Sequence, residues 1–177
     1  MKFPRTLIFA VLTASLGLGI SMDSQASGRL RVHAVGGNAE GGRSATTLSA
    51  ARGRNGGAYL HGRTTQTDGA GNASTSGGTA FRGRNGTTGA RTGTTRRGAD
   101  GDISHQGGFS ATSANGGHLQ SEGGFTRNTN GISGNRSTTA TGANGNSYQG
   151  STSYSRDSGF THSGSCTDAS GTTISCR

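Results

Sequence analysis

Residues 81–86 read Phe-Arg-Gly-Arg-Asn-Gly, and residues 51–56, thirty positions earlier, read Ala-Arg-Gly-Arg-Asn-Gly. The last glycine of each hexapeptide belongs to a series that returns every fifteen residues and later at slightly shorter steps: Gly41, Gly56, Gly71, Gly86, Gly101, Gly116, Gly131, Gly145, Gly159 and Gly171. Asparagine or aspartate precedes most of these glycines, and Asn-Gly or Asp-Gly is a strong hairpin signal because both residues tolerate positive φ. The spacing predicts one small β-unit that is repeated along the chain.

The segments between these glycines have the composition of strands. In three units, two large side chains lie six residues apart: Ile103 and Phe109, Leu119 and Phe125, Tyr148 and Tyr154. An even spacing places both side chains on the same face of a strand. Each unit is therefore predicted to be a strand of about ten residues plus a turn, with sparse apolar groups on one face and Ser, Thr and Asn on the other.

The units could be assembled in two ways, both of them all-β. In an antiparallel β-meander each unit is one strand, whereas in a β-solenoid each unit is one coil; a second glycine position half a unit along favours the solenoid at Gly78, Gly93, Gly108 and Gly123. An up-down strand pair explains the two hexapeptides more naturally, so we favour the meander. The low hydrophobicity and the 35 glycines leave a largely disordered chain as a further alternative.

The N-terminal segment, residues 1–26, has the pattern of a cleaved signal peptide. Lys2 and Arg5 precede an apolar run at 7–20, and Ser24-Gln25-Ala26 is a small-x-small cleavage site. The run is shorter than the roughly 20 residues of a spanning helix, so no integral membrane segment is expected in the mature chain. The protein is expected to be secreted or held at the cell surface, with the periplasm as an open alternative.

Charge divides the remaining chain into two parts. Residues 27–100 hold eleven arginines and three acids, whereas residues 101–177 hold four of each. The predicted organisation is therefore a signal peptide, a basic repeat half at 27–100, and a neutral Gly/Ser/Thr-rich β-repeat half at 101–177. Large apolar side chains are too few for a globular core, so backbone hydrogen bonding in a regular sheet, or association with a partner, must supply the stability.

The arginines are the candidate functional group. Guanidinium groups bind phosphate and carboxylate bidentately, and clustered cations bind polyanions through counterion release. No helix-turn-helix, zinc-finger or aromatic-platform motif is present, so the expected partner is an anionic polymer, nucleic acid or polysaccharide, bound without sequence specificity. A role limited to solubility is the alternative. The predicted polyanion-binding residues are Arg52, Arg54, Arg63, Arg82, Arg84, Arg91, Arg96 and Arg97.

The two cysteines, Cys166 and Cys176, are expected to form a disulfide in an exported chain. Strand pairing about the turn at 168–171 would place Cys166 near Thr173, so a bulge or a curled terminus is needed to bring the cysteines together. The five histidines show no metal-ligand spacing, and no Gly-x-Ser-x-Gly or Ser/His/Asp grouping stands out. We expect no metal site, no cofactor and no enzymatic activity.

Residues 136–176 contain three further motifs: Thr-Gly-x-Asn-Gly-x-x-Tyr-x-Gly from Thr141, Gly-Phe-Thr-His from Gly159, and Cys-x-Asp-Ala-x-Gly-x-x-Ile-x-Cys from Cys166. With these motifs the segment resembles the C-terminal part of uncharacterised secreted bacterial Gly/Ser/Thr/Asn-rich repeat proteins. The resemblance implies an exported bacterial protein and transfers no activity. The expected function is that of a non-catalytic structural or adhesive protein of the bacterial surface or extracellular matrix that binds polyanions. The alternative is a self-associating fibre or functional-amyloid-type subunit without a specific ligand.

Overall fold

A computed structural model describes residues 27–176, and the predicted signal peptide at 1–26 lies outside them. The described residues form one open antiparallel sheet in which the spatial order of the eleven strands is their order in the chain. The strands are β1 (Gly28–Gly37), β2 (Arg43–Arg52), β3 (Ala58–Thr67), β4 (Ala73–Arg82), β5 (Thr88–Arg97), β6 (Ile103–Thr112), β7 (His118–Asn128), β8 (Gly131–Thr141), β9 (Ser147–Ser155), β10 (Gly159–Thr167) and β11 (Thr173–Ile174). The all-β meander is thus confirmed, and the solenoid and disordered alternatives do not describe this part of the chain.

Most connections repeat one turn. At 53–57 the Gly53 N–H donates to the Gly57 carbonyl at 2.8 Å, and the Gly56 N–H donates to the Gly53 carbonyl at 3.1 Å. Gly56 has a φ of +82°, the left-handed conformation that ends a three-residue hairpin loop of the bulged type. The fifteen-residue period is therefore a ten-residue strand followed by five connecting residues.

In three turns the Asn or Asp before the turn glycine acts through its side chain: Asn85, Asp100 and Asn144. Positive φ is confined to glycine among the described residues, so Asn and Asp do not use the left-handed conformation that they tolerate. Instead, Asn85 Oδ1 accepts from the Thr87 N–H at 3.1 Å, and Asp100 Oδ1 accepts from the Asp102 N–H at 3.0 Å. Such short-range bonds stabilise a turn without a left-handed backbone, which is why these residue types recur there.

The strand register gives the sheet two chemically distinct faces. Directly paired residues share a face, as Tyr59 and Phe81 do between β3 and β4. Followed across all the ladders, this rule places every Phe and Tyr of the described chain on one face, which we call the aromatic face: Tyr59, Phe81, Phe109, Phe125, Tyr148, Tyr154 and Phe160. The opposite face, here the hydroxyl face, carries only Gly, Ser, Thr, Asn and Gln in β8–β10. The predicted pairs six residues apart all lie on the aromatic face.

The turns form two rims. One, the mixed rim, comprises the turns at 38–42, 68–72, 98–102, 129–130 and 156–158; it holds five acids beside several arginines, and these acids are Glu40, Asp68, Asp100, Asp102 and Asp157. The other, the basic rim, comprises the turns at 53–57, 83–87, 113–117, 142–146 and 168–172. Asp168, in its last turn, is the one acid among the turns of the basic rim.

The sheet is a single layer, as the scarcity of large apolar residues predicts. No apolar side chain in residues 27–176 is buried, and Phe160 is 70% exposed. Side-chain bonds between neighbouring strands supplement the backbone ladders, for example Thr65 to Thr75 at 3.0 Å and Ser153 to Thr161 at 2.6 Å. Cohesion therefore comes mainly from hydrogen bonds and from contacts within each face.

The histidines share one role within this network. Each of the five places Nδ1 within 2.8–3.2 Å of the hydroxyl of the threonine directly opposite, in the pairs His33–Thr47, His61–Thr79, His105–Thr95, His118–Thr112 and His162–Thr152. These residues keep no common repeat position in the sequence, because most of them lie at different points of their strands. Their common feature is the cross-strand threonine.

The C-terminal end is held by the predicted disulfide between Cys166 and Cys176, whose Cα atoms are 5.4 Å apart. Cys166 pairs with Ile174, one residue further along than expected. Strand β11 ends at Ile174, and the chain then leaves the ladder, which lets Cys176 approach Cys166 without a bulge. Of the two geometric solutions, the curled terminus is the one adopted.

Candidate anion-binding surface

The eight predicted arginines fall into three groups. Arg63, Arg91 and Arg97 lie on the aromatic face; Arg52, Arg82 and Arg96 lie on the hydroxyl face; Arg54 and Arg84 lie in turns of the basic rim. The structure therefore does not gather all eight into one patch. It does bring arginines that are thirty residues apart in the sequence to equivalent positions along one border of the sheet.

One of these thirty-residue pairs lies in turns of the basic rim, and the other lies at the strand ends beside it. Arg52 and Arg82 share a row of the hydroxyl face, with Ala58 between them. Two strand spacings separate them, which is about 9.6 Å. Arg54 and Arg84 occupy equivalent positions in the two neighbouring turns of this rim. The repeated hexapeptide thus makes a periodic cationic border along the N-terminal part of the sheet.

The aromatic face carries a larger set of arginines. It holds eight of them and, among the described residues, no Asp or Glu: Arg29, Arg31, Arg43, Arg63, Arg91, Arg97, Arg127 and Arg136. The one acid within a described strand, Glu122, lies on the hydroxyl face. An uncompensated array of guanidinium groups creates a positive potential that attracts anions. The aromatic face is therefore the candidate surface.

A row of glycines crosses the middle of this face. Arg63 in β3 and Arg136 in β8 close the row at its two ends. Because glycine has no side chain, these residues place no side chain of their own above the sheet, and we call the row the channel; the ring of His105 reaches over Gly93 and Gly107. The four glycines, on consecutive strands, are Gly77, Gly93, Gly107 and Gly123.

Aromatic rings and a further arginine border the channel. On one side, Arg91 lies directly opposite Phe109. On the other side, the rings of His105 and Phe125 stack with centroids 5.7 Å apart. The His105 ring leans inward, since its Cε1 is 3.3 Å from the position of a Cβ at Gly93. Guanidinium groups beside exposed rings can bind phosphate or carboxylate while the rings stack on bases or sugars.

Two members of this surface come from the half that the sequence identified as neutral. Arg127 and Arg136 lie in β7 and β8, and the Arg136 Nη1 donates to the Ser121 hydroxyl at 3.0 Å. Charge counting along the chain missed them because it averages over both faces. Alternation within each predicted strand, together with the hairpin register, was the signal that could have identified them. The same register brings together aromatic residues that form no contiguous sequence motif.

Two of the acids are fixed within turns. The side-chain amide of Asn72 donates to Asp68 at 2.5 Å and, with the N–H groups of Ala70 and Asn72, holds the pKa of Asp68 below its usual value. At the other end of the sheet, the Ser170 hydroxyl and the Thr172 N–H lower the pKa of Asp168. These carboxylates are used as hydrogen-bond acceptors within turns of the rims, and neither belongs to a strand of the aromatic face.

The described surface also has shallow depressions. Two, of about 290 and 370 Å³, lie beside Arg96 and Asp102 where β5 and β6 meet the mixed rim, and beside Ser151 on the hydroxyl face. Within residues 27–176, no three His, Cys, Asp or Glu side chains are grouped as metal ligands would be. The described residues include no helix long and apolar enough to cross a membrane.

No family model, curated protein or solved structure matches the chain. The basis for a function is therefore the chemistry of its own surface. For location, the informative feature is the Cys166–Cys176 disulfide, because disulfides persist mainly in oxidising compartments outside the cytoplasm.

Proposed function

We propose that the protein is an exported, non-catalytic structural or adhesive β-repeat protein of the bacterial surface or extracellular matrix, and that it binds anionic polymers. Extracellular DNA, acidic polysaccharide and lipopolysaccharide are the candidate ligands. The observation that supports this most directly is the aromatic face, with eight arginines and no acid among the described residues.

The shape of the surface supports a polymer as the ligand. The arginines of the aromatic face are spread from β1 to β8. With strands about 4.8 Å apart, the array is about 34 Å wide, longer than a small molecule and comparable to a polymer segment. Binding by such an array is driven by counterion release and carries no sequence preference.

The basic rim would extend this surface. Arg54, Arg82 and Arg84 lie at the rim in β4 and the turns on either side of β3–β4, next to the aromatic-face residues Tyr59 and Phe81. A polymer that lies across the channel could continue around this rim. We therefore expect the rim arginines to contribute less to affinity than those of the face. The rim contacts a polymer along one edge of the sheet, whereas the face contacts it across several strands.

Two charge-matched variants test this arrangement. R63Q/R91Q/R97Q removes three charges from the aromatic face, whereas R54Q/R82Q/R84Q removes two from turns of the basic rim and one from the end of β4 beside it. Retardation of DNA and of an anionic polysaccharide is measured over a salt series from about 50 to about 300 mM, and the salt slope is expected to fall by about 0.7–0.9 for each phosphate contact that is lost. The face variant should lose more affinity than the rim variant.

The outcomes separate binding by the aromatic face from binding by net charge and from an absence of polyanion binding. Equal losses in the two variants would mean that net charge, and not the aromatic face, determines binding. No retardation of either polymer by the unmodified protein at low salt would rule out the polyanion function altogether.

A second candidate function is a self-assembling fibre subunit. Strand β1 and the part of β10 that β11 does not cover leave free strand edges at both ends of the sheet, and such edges can template further pairing. Fibre diffraction and seeded polymerisation test this function. A protein that stays soluble and unpolymerised at high concentration with seeds present would exclude it.

A further inference from the structure

The two ends of the sheet are unequal. At one end, all ten residues of β1 are exposed, and β2 is the strand paired with it. At the other end, β11 pairs with Cys166 and Thr167 of β10, and the Cys166–Cys176 disulfide holds the terminal segment beside them. A strand edge that runs the full length of the sheet is thus available at the β1 end alone.

The backbone groups on the outer side of β1 follow from the hairpin. The Asn38 N–H donates to the Gly42 carbonyl at 3.1 Å, which makes 38 and 42 a hydrogen-bonded pair. Hydrogen-bonded and non-bonded pairs alternate along an antiparallel ladder, so the even-numbered residues of β1 bond to β2. The odd-numbered residues therefore direct both N–H and C=O outward, and these are Arg29, Arg31, His33, Val35 and Gly37.

The outer side of β10 offers fewer groups. The Asp168 N–H donates to the Thr172 carbonyl at 2.9 Å, so the same alternation makes Cys166 bond to β11. In the uncovered part of β10, only Phe160, His162 and Gly164 direct their N–H and C=O outward. A β1 strand added to β10 would therefore be satisfied over about half its length.

We propose that two copies of the chain pair antiparallel through β1, about a two-fold axis that passes beside His33 and runs perpendicular to the sheet. In this register His33 lies opposite its own counterpart, Arg31 opposite Val35, and Arg29 opposite Gly37. All five outward residues then form hydrogen-bonded pairs, and ten backbone hydrogen bonds join the copies. The two sheets become one sheet of twenty-two strands.

Strand pairing and charge together favour this register over a shift by two residues, which would also keep each face continuous. A shift in one direction leaves Gly37 without a partner in β1 and places Arg31 diagonally across from Arg31 of the second copy, and a shift in the other direction leaves Arg29 without a partner in β1. In the proposed register each arginine has an uncharged residue opposite, and arginines are not diagonal neighbours, which avoids like-charge repulsion across the strands. The aromatic faces of the two copies form one continuous surface.

The symmetry of this contact closes the assembly. A β1–β1 contact uses the same patch on both copies, so it is complete in a dimer and leaves no second β1 edge. A β1–β10 contact would be head to tail and would generate a filament. The proposal therefore predicts a dimer whose size does not grow with concentration.

Sedimentation equilibrium of the purified protein tests the stoichiometry, with Val35→Pro as the disrupting variant. Proline at 35 removes an outward N–H and places its ring against the second copy, while the bonds between β1 and β2 remain because residue 35 does not donate to β2. The dissociation constant of the dimer should rise at least tenfold. Val35→Thr, which keeps the N–H, should remain dimeric. A monomeric unmodified protein, or species that grow steadily with concentration, would overturn the proposal.

Cysteine cross-linking tests the register independently of folding effects at 35. In His33→Cys the two new thiols would lie across a hydrogen-bonded pair, with Cα atoms about 5.5 Å apart and within disulfide range. In Arg31→Cys the counterparts would be on the order of 13 Å apart and out of range. Mild oxidation should convert His33→Cys to a covalent dimer on a non-reducing gel and leave Arg31→Cys monomeric. The reverse pattern, or equal cross-linking, would contradict the register.

Discussion

The aromatic and hydroxyl faces share every strand and every ladder, yet they differ in charge and in ring content. In the described residues, the aromatic face has eight arginines and all the Phe and Tyr side chains, whereas the hydroxyl face has three arginines and Glu122. Neighbouring residues such as Thr94 and Thr95 belong to opposite faces. Binding chemistry in this fold is therefore separated at the scale of one residue, by strand alternation, and not by separate domains.

Reversing the charge of arginines on the two faces should have the largest effect, which we expect on the affinity for DNA. We expect R63E/R91E, on the aromatic face, to weaken retardation of DNA by about a hundredfold or more at low salt, because attractive contacts become repulsive within the array. R82E/R96E makes the same change in net charge on the hydroxyl face and should cost about tenfold. Binding titrations of both variants against the same DNA provide the measurement. If R82E/R96E had the larger effect, the assignment of the binding face would be reversed.

Replacing a glycine with alanine should change the stability of the sheet by different amounts on the two faces. A Cβ at Gly123 would overlap the Asn135 carbonyl and approach Arg136 Cα to 2.8 Å, so Gly123→Ala should destabilise the sheet by about 1–3 kcal/mol. On the hydroxyl face, a Cβ at Gly108 would be no closer than 3.5 Å to another atom, so Gly108→Ala should be neutral or stabilise by about 0.5 kcal/mol. Urea denaturation midpoints test both. Equal midpoints for the two variants would show that Gly123 and Gly108 leave equal room for a side chain.

The cross-strand hydroxyl pairs should have smaller and more similar effects. Thr95 contacts His105 Nδ1 at 2.8 Å on the aromatic face, while Thr94 contacts the Ser76 hydroxyl at 3.0 Å on the hydroxyl face. Replacing either threonine with valine keeps the β-branched shape, so each should cost about 0.5–1 kcal/mol. Denaturation of the two variants gives the comparison. A loss confined to Thr95→Val would mean that only the histidine pairs stabilise the sheet.

Lowering the pH should have the smallest effect on stability, and this effect should come from two carboxylates in turns of the rims. The pKa values of Asp68 and Asp168 are lowered from 3.8 by turn hydrogen bonds, so the ionised forms contribute stability above the unfolded value, and that contribution is lost as pH falls through the folded values. Thermal denaturation from about pH 5 to about pH 2 should show this loss, and D68N/D168N should show less of it. An unchanged pH dependence in the double variant would exclude these two carboxylates as its source.

The turn chemistry made the overall fold predictable from the sequence. Each hairpin needs a residue in the left-handed conformation, and the glycine that recurs at a fixed period supplies it. An Asn or Asp before that glycine can supply a hydrogen-bond acceptor for the turn. The predicted length of strands and turns was confirmed. The sequence did not reveal whether the Asn or Asp before the glycine uses its side chain or a left-handed backbone, because both favour the same residue types.

The candidate surface was harder to predict because it depends on register. Arg91 and Phe109 are eighteen residues apart in the chain but directly opposite each other in the sheet. Arg136 was assigned to a neutral half because composition averages over both faces. Similarly, strand β11 ends at Ile174, which decides how Cys176 reaches Cys166, and the sequence analysis found no residue pattern that marks this end.

The hairpin geometry also constrains how such a chain can lengthen. Residues fifteen apart lie on opposite faces, as Gly78 and Gly93 do, and equivalent turns fifteen apart lie on opposite rims. Duplication of one strand and its turn would therefore exchange the faces and rims of everything that follows it. Duplication of two would widen the sheet by about 9.6 Å and preserve both. Two strands with their turns, which take thirty residues between the two Arg-Gly-Arg-Asn-Gly turns, are thus the smallest step by which this architecture can grow without inverting its chemistry.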